Sequence, residues 1–175
     1  MKKIFGLLIC VLFLTSCDDG DLVVETFNFD SVDIQKCDDP GRDPLFKING
    51  EELLLLDIPA SYFTNEVTPE GQPRIATISS TNRVIYRKYS GEADDSVICS
   101  DVPPASPSVQ QEWNAAAGGT IEIVTTEVTT TDPETNEVTI TGYKHQIKFK
   151  TIEFVGSQNS FVYDEYLFGD YEITL

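Results

Sequence analysis

The chemistry open to this 175-residue chain rests on one imidazole, four thiols and 29 carboxylates. His145 stands in an alternating run, on the same side as Tyr143, Ile147 and Phe149. That side reads as the inward one, so a hydrogen-bonded place at the core margin is expected. A general base would also need a nucleophile and an orienting partner, and no Gly-x-Ser-x-Gly elbow presents a serine. Glycoside hydrolysis needs two carboxylates about 5–10 Å apart across a cleft. Glu51, Glu52, Glu153, Asp164 and Glu165 are available for it, and only the fold decides whether two of them converge. Asp38-Asp39 with Asp43, and Glu92 with Asp94-Asp95, offer oxygens to calcium. Neither cluster has the spacing of a calcium loop, so solvated turns are expected. The pattern points to no metal site and no cofactor.

The thiols divide by context. Lys2 and Lys3 precede the uncharged, mostly apolar run Ile4 to Leu14, which contains Cys10. Its eleven residues fall short of the ~20 that a spanning helix needs and match the apolar part of a secretory signal. Leu14-Thr15-Ser16-Cys17 then resembles the lipobox of bacterial lipoproteins: a large apolar residue, two small ones, and a nucleophilic thiol that takes a diacylglyceryl group. Residues 1–16 are thus expected to be a signal peptide, with Cys17 the lipidated first residue of the mature chain. Each buried acyl methylene contributes about 0.8 kcal/mol, so several chains anchor firmly without spanning. The tether 17–21 carries Asp18, Asp19 and Asp21. These resemble the acidic export signal after the lipidated cysteine in Bacteroidota, which implies the outer membrane and the cell surface. A plain solvated tether with a periplasmic-facing anchor is the alternative, and in other bacteria an aspartate at this place retains the protein at the inner membrane. Cys37 and Cys99 remain. In an oxidising compartment, with one histidine in the whole chain, they read as a disulfide rather than a zinc site. Closing 62 positions stabilises by about 4 kcal/mol in the loop-entropy account.

Lys2 and Lys3 are the only charges in residues 1–16, so the rest keeps 10 of the 12 basic residues against 29 acidic ones, a formal balance of −19. Such a surface repels phosphate backbones and anionic headgroups, which argues against nucleic acid as a partner.

Residues 22–175 read as a single β-rich domain of short strands. Candidates are Phe27/Phe29 with Val32/Ile34, Leu45–Ile48, Arg74–Ser79, Arg83–Tyr89, Val97–Ser100 and the terminal Tyr171/Ile173/Leu175. Leu53–Leu56 is a continuous apolar run, as for a strand covered on both faces. Ile121–Thr130 and the segment after Val138 flank strong turn chemistry at 131–136. Gly142 marks a bulge where side-chain parity changes, and a second change precedes Ile152. One helix is expected over 107–117, from Ser106 as N-cap, Pro107 at the first turn and Gly118 at the end. The expected fold is therefore an antiparallel β-sandwich or barrel with one short helix. Residues 58–73 form the longest unpatterned stretch, a length that is uncommon unless functional.

The lipobox with its acidic follower, Phe27-Asn28-Phe29-Asp30, Phe63-Thr64-Asn65-Glu66-Val67-Thr68-Pro69, Val102-Pro103-Pro104 and Tyr143-Lys144-His145 together resemble a group of flavobacterial (Bacteroidota) outer-membrane lipoproteins with no assigned activity. The resemblance implies location and an all-β body. Asp30-Ser31-Val32 and Asp95-Ser96-Val97 also resemble the O-glycosylation sequon of that phylum, which implies modification at Ser31 and Ser96. The expected role is non-enzymatic: a tethered domain that binds an envelope protein or glycan, or supports the envelope. The alternatives are a cell-surface hydrolase acting on glycan or peptide, and a calcium-stabilised module.

Overall fold

The computed structural model describes residues 26–37 and 44–175. They form antiparallel strands β1 (Gln35–Lys36), β2 (Leu45–Asn49), β3 (Glu52–Asp57), β4 (Arg74–Thr77), β5 (Arg83–Tyr89), β6 (Val109–Ala115), β7 (Thr120–Thr131), β8 (Val138–Val155) and β9 (Ser160–Thr174). Among the described residues, helix is confined to a 3-10 turn at Ala60–Tyr62 and a single turn, α1 (Ser96–Cys99). The strand order is β1-β2-β3-β5-β6-β8-β7-β4, with β9 also paired to β8.

The bend in β8 makes this one sheet sandwich-like. From Val138 to Lys150 it pairs with β7. Thr151 then takes a left-handed φ of 49°, and Phe154 and Val155 pair with β6 instead. The parity change read before Ile152 is this bend. It brings β1-β2-β3-β5-β6 over β4-β7-β8-β9, so that Leu54, Leu56 and Tyr86 share one core with Ile121, Ile147 and Phe149. The bulge expected at Gly142 is present too: Val128 pairs with Gly142 and Thr129 with Ile140, leaving Thr141 over. A Cβ on Gly142 would sit 2.6 Å from the Ile173 carbonyl oxygen, so no side chain fits there.

Leu53–Leu56 is buried on both faces, as its unbroken apolar run predicts. Leu54 and Leu56 join the main core, while Leu53 and Leu55 join a second cluster with Phe46, Ile85, Val97 and Ile98. The Cys37–Cys99 disulfide closes that cluster, with Cα atoms 5.4 Å apart.

Three expectations are corrected. The helix over 107–117 is strand β6, which pairs with β5 and stacks Trp113 on Tyr86 at 5.1 Å between ring centroids. Its indole N–H donates to Asn159 Oδ1 at 2.8 Å. A helix here would leave that side of β5 without a ladder, and tertiary pairing outweighs local propensity and capping signals. Val97–Ser100 lies in the helical turn α1 rather than a strand, because Val97 and Ile98 cover the second cluster from above. Phe27 to Ile34 joins no ladder. Phe27 and Phe29 instead bury their rings inside the sandwich, 5% and 0% exposed.

Candidate functional site

The N-terminal strap 27–34 is held by side chains where a strand would be held by backbone. Tyr163 Oη accepts the Phe27 N–H at 3.0 Å and donates to the Phe27 carbonyl at 3.1 Å. Tyr166 Oη accepts the Phe29 N–H at 3.2 Å, and burial pushes its phenol up to about 12. Lys47 is buried, donates to the Phe29 carbonyl at 3.0 Å and lies over the Phe168 ring. Burial pulls its ammonium below the ordinary lysine value, with Asp30 and Asp33 opposing. Gly169, at φ 137°, leaves the room: a Cβ there would stand 3.3 Å from Lys47 Nζ. The ring of Phe27 meets Tyr86, Phe154, Phe161, Tyr163 and Tyr166 within 6 Å between centroids. Nothing in the sequence marks Tyr163 or Tyr166 for this task, and for Lys47 the one signal is a lysine in the middle of Leu45-Phe46-Lys47-Ile48.

His145 is hydrogen-bonded on the inward side, and at 0% exposed it lies deeper than the core margin its parity suggested. Its Nδ1 lies 2.8 Å from Thr125 Oγ1, which also accepts from Arg74 Nη1 at 2.6 Å. With the guanidinium donating, the hydroxyl proton goes to Nδ1, and the imidazole proton is assigned to Nε2. Among the described residues Nε2 has no hydrogen-bond partner, while Phe63 stands edge-on and Tyr171 stacks beside the ring. Burial first, and Arg74 second, lower the pKa of His145. The neutral ring is therefore part of a latch. Thr68 bonds the Thr125 backbone, and Arg74 reaches the Glu66 carbonyl, so the long stretch 58–73 is fastened over β7 and β8.

Of the other candidates, Glu52 accepts from Tyr86 Oη at 2.8 Å, Glu165 pairs with Lys148 and Lys150, and Glu51, Glu153 and Asp164 are exposed. Glu92, Asp94 and Asp95 line a shallow hollow of about 470 Å³. Asp94 spends its carboxylate on the N–H and hydroxyl of Ser96, which hold its pKa down. Among the described residues no three Cys, His, Asp or Glu side chains gather as a metal site. Ser31 is exposed in the turn after Phe29, whereas the hydroxyl of Ser96 is already engaged. Cys17, Asp18, Asp19 and Asp21, like Asp38, Asp39 and Asp43, lie outside the described residues. No described helix is long and apolar enough to cross a membrane.

One further region stands apart. β4 ends its pairing at Ile123 and β9 at Gly142, so among the described residues Thr129–Thr131 and Val138–Ile140 pair only with each other. Their turn is tightly made: Asp132 Oδ1 accepts the N–H groups of Glu134 and Thr135 at 2.7 and 3.1 Å. The Asp132 N–H donates to the Glu137 carbonyl, and Asn136 supplies the left-handed residue at φ 58°. Those backbone donors hold the Asp132 carboxyl below the usual carboxylate range.

No family model matches the chain, and neither a curated protein nor a solved structure matches it significantly.

Proposed function

We propose that this chain is a lipid-anchored envelope protein whose β-domain works by binding or support rather than by catalysis. The observation that carries the reading is Leu14-Thr15-Ser16-Cys17 behind a charged and apolar leader, ten positions ahead of Phe27. At about 3.3–3.6 Å per residue, ten positions keep the domain within roughly 35 Å of the lipid. The strap supports the reading, because whatever pulls at the tether pulls on a segment fastened by Lys47, Tyr163 and Tyr166. The enclosure of His145, with Thr125 and two aromatic rings around it, speaks against a hydrolase that would use this imidazole. Asp18, Asp19 and Asp21 support an outer-membrane, surface-facing anchor.

Membrane-extracted protein should have the mass of residues 17–175 plus acyl chains. Cys17→Ala, with residues 1–16 retained, should leave the membrane fraction, and normal retention of that variant would refute the anchor. Changing Asp18, Asp19 and Asp21 to alanine should protect the domain from protease added to intact cells. Unchanged digestion would reduce the three to a plain tether.

A further inference from the structure

We infer that the β7–β8 arm is the surface through which this domain holds a protein partner, one with an apolar centre and a lysine- or arginine-rich rim. The inference rests on the tethered-domain reading only for the direction in which the arm points. A two-stranded ribbon in water lacks the second layer that normally stabilises a hairpin. Here the inward face of β7 and β8 continues past the body, across the bulge, but no opposing strand among the described residues follows it. Val138 is left 61% and Ile140 39% exposed on that face, alongside Thr129 and Thr131. The strip runs on into half-buried Tyr143 and Ile173. An apolar centre with a polar border is the anatomy of a protein interface.

Charge selects the occupant. Residues 126–142 hold Glu127, Asp132, Glu134 and Glu137 and no lysine or arginine. A second copy of the arm, a nucleic acid or an anionic lipid surface would meet like charge, whereas a basic rim would meet its complement. The turn is already fixed by the Asp132 bonds, so little ordering is left to oppose association. The arm also lies at the far pole. The chain enters beside Tyr163, ten residues of β9 lead from there to Ile173, and the arm continues beyond. At about 3.3 Å per residue, that sets its base roughly 33 Å from the point of entry.

The test uses detergent-extracted full chain, so it reads the arm whichever membrane holds the protein. Three fluorescent hairpin peptides serve as probes: alternating Val/Lys, Val/Glu and Ser/Lys. The Val/Lys probe should bind, the other two should bind at least tenfold more weakly, and V138S/I140S should lose at least tenfold for Val/Lys at constant salt. Equal binding of Val/Lys by that double variant, or equal binding of the Ser/Lys probe, would overturn the inference, because charge alone would then suffice. In cells, a photo-crosslinker at Val138 should capture a basic protein, while one at Val162, near the entry pole, should not. Adducts to a second copy of this chain alone, or equal capture at both positions, would also overturn it.

Discussion

β3 and the β7–β8 arm are built from the same kind of ladder, yet they have opposite fates. Both are antiparallel and rich in aliphatic or β-branched residues. Around β3 each face has its own layer, the main core on one side and α1 with the disulfide on the other. Around the arm neither face is covered. Hydrogen-bonded pairing therefore does not separate the two regions, whereas layering does. Apolar burial at about 25 cal/mol per Å² fixes β3 in place, and its absence leaves the arm's side chains available to something else. In this fold the doubly layered strand and the unlayered arm belong to one sheet.

The largest effect should come from stripping β3 of its outer layer. Cys37→Ser with Cys99→Ser should cost about 4 kcal/mol, which for a domain of this size lowers the midpoint of thermal unfolding on the order of 10 °C. A scan with and without reductant measures it, and an unchanged midpoint would remove the disulfide from the account. An intermediate effect belongs to His145, where Tyr171 of β9 and Phe63 of the 58–73 stretch still provide cover. Its folded-state pKa is lowered, so the unfolded chain binds the proton more readily. Its contribution to stability is complete above the unfolded value of about 6.5 and is lost as pH falls through the folded value. Below pH 6.5 the wild type should lose midpoint faster than His145→Gln, and parallel pH profiles would contradict the buried neutral ring. The smallest effect should be at the arm: Val138→Ser with Ile140→Ser should change stability by less than about 1 kcal/mol. A large loss in denaturant titration would mean that the arm is packed after all.

The covered region was the more legible of the two. Leu53–Leu56 shows double burial because four successive apolar residues leave no solvent face, and the parity break at Gly142 shows the bulge, whereas the break before Ile152 gives the place of the bend but not its direction. The segment around Trp113 carries helix signals because Ser106, Pro107 and Gly118 act locally, while the need to complete β5 is not local. The strap differs from its expected strand for the same reason. Alternation in Phe27-Asn28-Phe29 shows two rings on one side, but not that Tyr163 and Tyr166 replace a neighbouring strand. The arm's pairing was plain in the sequence, but its lack of a second layer depends on where β4 and β9 stop.

The strap also dictates an order of events. Phe27 and Tyr163 are 136 positions apart, and each is part of the other's surroundings. The first buried aromatic ring of the domain must wait for its last strand, so the core closes only when nearly the whole chain has been delivered. Contacts between such distant partners form slowly. Until then Tyr163 and Tyr166 lack the backbone groups they hold, and the aromatic core stays open at that side.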